Sequence, residues 1–247
     1  MRTMDIAEYL HRQEDHLIRH AQRIRDFRVF DFNYVPPAPL MREEIKPLID
    51  ALLRYRHSGI ANHALILGAR GCGKSVLARY LMTLLQKPGE LDFVYANCRQ
   101  TNTSYKILAD LLQIRARGHG LDELWRQFTQ RHPHATVFIL DEIDLMSDKD
   151  RHKDILYLIS RSDQNYMAVL LSNNPRFLER LDVSTQSSLQ PEIIHFRNYT
   201  APDISRILHD RARVGLREEP QSIIDQIAAL TTRNTNSDVR VAIKTLY

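Results

Sequence analysis

The sequence predicts a doubly wound α/β fold: a five-stranded parallel sheet covered by helices, followed by a small helical lid. Three observations predict it. Short apolar runs alternate with helical stretches between residues 64 and 196. A glycine-rich loop separates the first run from the helix after it. Beyond Ala201 the strand signal stops and only helical periodicity remains. Alternating strands and helices argue a parallel sheet with both faces covered.

Each element follows in order. Residues 4–25 read as a helix with Ile6, Leu10, Leu17 and Ile24 as its apolar positions. The N-terminal segment as a whole holds the one dense basic region, with His11, Arg12, Arg19, His20, Arg23, Arg25 and Arg28. Such a face is either solvated or set against phosphates. Residues 31–40 contain Pro36, Pro37 and Pro39 and must be extended. A helix spans 41–56, with Ile45, Leu48, Ile49 and Leu52 on one face and its regular part starting near Lys46, next to Pro47. Strands are expected at 64–67, 93–96, 136–140, 167–172 and 192–196, and helices at 76–85, 104–114, 121–130 and 154–160. Helices at 201–214, 221–230 and 237–246 complete the chain. The domains expected are an N-terminal helix (1–30), an α/β core (31–200) and the lid (201–247).

The chain has 247 residues, 43% hydrophobic and 26% charged, the composition of a soluble globular protein with room for one core and a small companion. No apolar run approaches bilayer-spanning length, and the polar N-terminus is no secretory signal. No membrane partner is expected. Two cysteines without CxxC spacing fit a reducing compartment, cytoplasmic or nucleoid-associated. A formal charge of +4 is compatible with nucleic acid without demanding it.

The chemistry concentrates in Gly68-Ala69-Arg70-Gly71-Cys72-Gly73-Lys74-Ser75, which fits the phosphate-loop pattern G-x-x-x-x-G-K-[ST]. A strand precedes it and a helix beginning near Val76 follows, so the loop and helix N-terminus form an anion cradle. The glycines let backbone N–H groups converge on phosphate oxygens. Lys74 reaches the β- and γ-phosphates, and Ser75 offers its hydroxyl to Mg2+. Cys72 is a small residue that fits the loop, although a helix N-terminus can lower a thiol pKa.

The strand at 136–140 ends in Asp141 and Glu142. Chemistry in an open parallel sheet sits at carboxyl ends of strands, so Asp141 is placed to hold Mg2+ and Glu142 to activate water. Asp144 reads as a cap or surface residue. The next strand ends in Asn173-Asn174-Pro175, a turn signal alone; beside a phosphate loop, the Asn173 amide can bond both phosphate and water. Arg240 lies in the first turn of the last helix, behind a Ser237 or Asp238 cap.

In this order the pieces resemble the AAA+ ATPases. The finer resemblance is to the origin-recognition and helicase-loader initiators of archaea and eukaryotes. It rests on Asn33-Tyr34-Val35-Pro36 with Arg42-Glu43-Glu44, Asn97-Cys98-Arg99 with Tyr105, Asp141-Glu142-Ile143-Asp144, Ser172-Asn173-Asn174 and Ser187-Ser188-Leu189. It covers residues 30–247. The resemblance implies an ATP- and Mg2+-binding switch, with Asn173 as sensor one, Arg240 as sensor two and Val35 touching the base through its backbone. It also implies a protein partner, DNA and a homo- or hetero-oligomer. Two departures accompany it. The family's trans-acting arginine aligns with Ser184, and Arg180 is the nearby candidate to replace it. The chain stops at Tyr247 inside the lid, without the family's winged-helix domain, and the stretch between Cys98 and Leu121 is short for the family's DNA-contacting insertion. The expected function is an ATPase switch, slow alone, that loads or organises a partner on DNA, itself binding DNA weakly and without sequence preference. The alternatives are a regulator of a mobile element or defence system, and an ATP-bound scaffold with negligible turnover.

Overall fold

The structure, a computed structural model, describes residues 5–115, 118–150 and 152–247, apart from the side chains of residues 15, 16 and 18–20. Met4 and the Arg19 and His20 side chains, part of the basic N-terminal segment, fall outside the described residues. The chain forms two compact units, Met41–Arg197 and a second one joining Met1–Leu40 to Asn198–Tyr247.

The first unit holds the sheet. Its strands are β1 (Ala64–Gly68), β2 (Asp92–Asn97), β3 (Thr136–Asp141), β4 (Met167–Ser172) and β5 (Glu192–Phe196). They pair in the order β2-β3-β4-β1-β5, parallel throughout. All residues of β3 and β4 are buried, because helices cover both faces of a parallel sheet. The covering helices are α2 (Lys46–Ser58), α3 (Lys74–Leu85), α4 (Ser104–Leu111), α5 (Leu121–Arg131), α6 (Asp154–Ser160) and α7 (Val183–Leu189). Leu48, Leu52 and Tyr55 of α2 and Leu77 and Leu81 of α3 pack with Ile66, Ile139 and Val169. On the opposite face Ile107, Leu124, Phe128, Ile155 and Leu189 pack with Leu65, Phe138 and Leu170. The alternation of strand residues between these two cores is the period-two pleat.

Local signals set the boundaries. A 3₁₀ turn at Glu43–Ile45 precedes α2, so the regular helix starts at Lys46 with Pro47 in its first turn. Gly59, at φ +68°, ends it in the left-handed conformation that suits glycine. The helix expected to run to residue 114 stops at Leu111. The short helix α7 was not anticipated: Val183-Ser184-Thr185-Gln186 has no apolar periodicity. Asp182 forms it by accepting from the Thr185 N–H at 3.0 Å, an N-cap bond.

The second unit contains α1 (Ile6–Arg23), α8 (Ala201–Gly215), α9 (Gln221–Asn234) and α10 (Val239–Leu246). Thr200 and Asp203 form a capping box at the start of α8. The core of this unit joins Ile24 and Phe30 to Leu208, Ala212, Ile224, Ala228 and Ile243. Residues 31–40, read from sequence as the start of the α/β core, belong to this unit instead. Arg211 holds part of this stretch: its buried guanidinium donates to the carbonyls of Val29 and Tyr34 and lies over the Tyr34 ring at 4.5 Å. Burial of that charge lowers the Arg211 pKa. Of the four apolar positions of α1, only Ile24 is buried, just past the helix end; Ile6, Leu10 and Leu17 are exposed.

Candidate nucleotide site at the carboxyl ends of the strands

Gly68 ends β1 with no room for a side chain. A Cβ there would lie 2.8 Å from the Phe196 carbonyl and 2.9 Å from Cys72 Sγ. The first glycine of the motif is therefore demanded by packing against β5. Gly71 and Gly73 have φ of +73° and +92°, a conformation that L side chains rarely adopt. The first intrahelical bond of α3 runs from Leu77 N to the Gly73 carbonyl at 3.0 Å. The N–H groups of Ser75 and Val76 precede that bond and stand outside the helix ladder. Two left-handed glycines leading into a helix N-terminus make a cradle that fits an anion.

Lys74 is 7% exposed. Its ammonium donates to the carbonyls of Gly68 and Ala69 at 2.8 and 2.9 Å and to Asn173 Oδ1 at 3.0 Å. The structure thus brings Lys74 and Asn173, predicted from separate motifs, into direct contact. Ser75 and Val76, in the first turn of α3, are half-buried; in the loop before it Ala69 is half-buried and Arg70 exposed.

Asp141, 4% exposed, closes β3 in register with Asn97 of β2. Its Oδ2 accepts from the Tyr95 hydroxyl at 2.8 Å and its Oδ1 from the Glu142 N–H at 2.9 Å. Burial, followed by the Asp141 charge, pushes the Tyr95 hydroxyl pKa up, so the phenol stays a donor. Glu142 sits at φ +53°, a left-handed conformation that costs a non-glycine residue about 1–3 kcal/mol. Its Oε2 accepts from Arg99 Nε at 2.7 Å; Arg99 is mostly exposed and Glu142 mostly buried.

Asp144 is more than a cap. Its Oδ1 accepts from Ser172 Oγ and from the Asn173 N–H, both at 3.0 Å. The turn after β3 therefore fixes the backbone that carries Asn173. Tyr95, Arg99 and Asp144 are site residues whose roles sequence reasoning missed. The available signal was the position of Arg99 and Asp144 just after β2 and β3, and of Tyr95 two residues before the end of β2. Arg42 is a fourth: buried, it donates to the Cys72 carbonyl in the loop at 2.9 Å.

Ser184 is exposed in the first turn of α7. Arg180 is turned back on its own unit, donating to the Asp144 carbonyl at 3.0 Å and to Asp148 Oδ1 at 2.9 Å. Val35 and Arg240 lie in the second unit. Val35 is half-buried and follows Tyr34, whose carbonyl Arg211 holds. Arg240 is exposed, and its N–H donates to the Asp238 cap at 3.0 Å. Among the described residues no cluster of His, Cys, Asp and Glu forms a metal site by itself, and no helix is long and apolar enough to cross a membrane.

Comparison with known proteins gives the same family as the motifs. The AAA domain profile matches residues 58–181. The chain is 32% identical over 253 residues to the ORC1-type DNA replication protein 1 of Sulfolobus acidocaldarius, covering 94% of this chain and 63% of the relative. It is 30% identical to the ORC1-type DNA replication protein 1 of Halobacterium salinarum, covering 89% of this chain and 73% of that one. Its fold superimposes on the Aeropyrum pernix ORC1 protein in complex with DNA and on Cdc6p from Pyrobaculum aerophilum. The TM-score is 0.78 and the identity 27% in each case, over 91% of this chain and 63% and 65% of those chains. The chain thus spans less than two thirds of the length of several of these relatives. By sequence, motif order and sheet topology, this chain belongs to the AAA domain family and, within it, to the ORC1-type DNA replication proteins.

Proposed function

We propose that this chain is an ATP-dependent switch of replication-initiator type, which binds ATP with Mg2+, hydrolyses it slowly and organises a protein partner on DNA. The observation that carries this reading is the Lys74–Asn173 bond, which joins the anion cradle to the end of β4 next to the two carboxylates of β3. Gly68 to Val76 cradle the phosphates, and Lys74 exchanges its carbonyl partners for phosphate oxygens. Ser75 and Asp141 would hold Mg2+, whose positive charge would offset the charge on the phosphate oxygens. Glu142 takes a proton from the attacking water, and Asn173 orients that water against the γ-phosphate. On the family resemblance Val35 contacts the base through its backbone, and Arg240 reads the phosphates as sensor two.

Slow turnover follows from the missing arginine. Ser184 stands at its aligned position, and the two bonds of Arg180 commit that guanidinium elsewhere. The Arg99–Glu142 pair also occupies the base, which favours, as a second reading, an ATP-bound scaffold with little turnover. An arginine supplied by another subunit of a homo- or hetero-oligomer raises the rate in either reading. The compartment that suits this activity is the cytoplasm, at the nucleoid.

The DNA part of the proposal rests on the mild positive charge and the basic stretch Arg12, Arg19, Arg23 and Arg25. A few phosphate contacts give non-specific affinity of about 10⁻⁴–10⁻⁶ M that falls steeply with salt. Fluorescence anisotropy on duplex DNA across salt concentrations, with and without ATP, tests it. Replacing Arg19, Arg23 and Arg25 together by Ala flattens the salt dependence if they release counterions. Tight, salt-insensitive recognition of one sequence contradicts the proposal.

A further inference from the structure

We propose that Arg42 is a positioning residue that fixes the phosphate loop and ties it to both points where the chain leaves the ATPase unit. This rests on the nucleotide-site reading above.

Arg42 is 9% exposed. One guanidinium nitrogen donates to the Cys72 carbonyl at 2.9 Å. The other donates to the Arg197 carbonyl at 2.8 Å and to Glu44 Oε1 at 3.0 Å. The guanidinium also lies over the Phe196 ring at 5.4 Å. Arg197 is the last residue of this unit, and Arg42 is the second after its first boundary. One buried side chain therefore connects residues beside both unit boundaries with the loop two residues before Lys74.

The bond to Cys72 has a consequence for the cradle. Cys72 lies between Gly71 and Gly73, at φ +73° and +92°. The Cys72–Gly73 peptide turns about ψ of Cys72 and φ of Gly73, and on the glycine side it meets little steric resistance. The peptide unit is planar and trans, so its C=O and the following N–H point in opposite directions. Holding the Cys72 carbonyl on Arg42 therefore fixes the direction of the Gly73 N–H, at the mouth of the helix N-terminus. Without Arg42 that donor is free to turn away from a phosphate. The planar fork matters as well as the charge. A lysine ammonium can reach one of these acceptors but cannot span three of them in one plane.

The test uses this chain, its Arg42→Gln and Arg42→Lys variants, and a Lys74→Ala control. ATP affinity is measured by calorimetry. Hydrogen exchange at saturating ATP is followed in peptides covering residues 40–45 and 194–200. We expect Arg42→Gln to weaken ATP binding about ten- to a hundred-fold, the loss typical of a hydrogen bond to a charged group. We expect Arg42→Lys to recover part of the affinity. In the unsubstituted protein ATP should slow exchange in both peptides; in Arg42→Lys, saturated with ATP, that protection should be lost in the 194–200 peptide. Wild-type affinity in Arg42→Gln, or unchanged protection in Arg42→Lys, overturns the proposal while leaving the nucleotide site intact. Should Arg42→Gln fail to fold, Arg42→Lys carries both readouts. Equal ATP binding by the unsubstituted protein and Lys74→Ala would instead sink the nucleotide reading itself.

Discussion

Lys74 donates through its ammonium to Asn173 Oδ1 at 3.0 Å, and this bond joins the loop after β1 to the end of β4. Asn173 is in turn fixed by Asp144, which accepts its N–H at 3.0 Å. A chain of contacts therefore runs from the phosphate cradle to the turn that carries Glu142.

The Asp144 link predicts a separation of binding from turnover. Asp144→Ala leaves the Asn173 backbone and the Ser172 hydroxyl without their shared acceptor. Misplacement of a catalytic group by about 1 Å can cost about a hundred-fold in rate. ATP hydrolysis should fall about ten- to a hundred-fold while the ATP dissociation constant changes little. A parallel loss of affinity would show that Asp144 supports the fold rather than Asn173.

Glu142 and Arg99 make a second pair of predictions. Glu142→Gln keeps the shape and removes the carboxylate proposed as the base, so turnover should fall about 10²–10⁴-fold with ATP still bound. Arg99→Ala frees Glu142 Oε2 from its 2.7 Å partner. Because the arginine is largely exposed, the gain in basal turnover should be a few-fold at most. A lower rate in Arg99→Ala would mean that the arginine assists Glu142 instead of restraining it.

His63 should contribute to acid sensitivity. It lies just before β1 and is buried. Its Nδ1 accepts from the Ala168 N–H at 3.0 Å, and its carbonyl accepts from Glu192 N at 2.8 Å. Burial lowers its pKa from 6.5 to about 4. The unfolded chain therefore binds the proton first, and stability falls as pH drops from about 6.5 to about 4. The loss reaches roughly 3 kcal/mol below that window, and nothing is contributed above it. His63→Asn keeps an acceptor and removes the titration. Its melting temperature should vary less with pH across this window than that of the unsubstituted protein; identical slopes would contradict the assignment.

Ser184→Arg tests assembly. A trans-acting arginine contributes about 10³–10⁵-fold where it is fully placed. If the first turn of α7 meets a neighbouring nucleotide, ATPase activity should rise in Ser184→Arg and climb further with protein concentration. A rate unchanged by the substitution at every concentration would argue against such packing.

Much of this was legible in the sequence. The five strands, the phosphate loop and the carboxylates at the end of β3 follow from apolar runs and motif spacing, signals that are local. What escaped depends on distance along the chain. Arg42 meets Arg197, and Arg211 meets Val29, across separations that no periodicity reports. The short helix α7 is set by an Asp182 cap rather than by an apolar face. Ile6, Leu10 and Leu17 are apolar positions of α1 in the sequence and are exposed in the structure, since a helical pattern says which residues share a face and not what covers it.

The most direct measurement is calorimetric titration of ATP, with Mg2+, into this chain and into Lys74→Ala. Lys74 carries the buried ammonium of the cradle. The account predicts stoichiometric binding by the unsubstituted protein, and affinity weaker by at least about ten-fold in the variant, as expected for losing a hydrogen-bonded charge. Equal affinity in the two proteins, with both folded, would contradict the placement of phosphate on this loop.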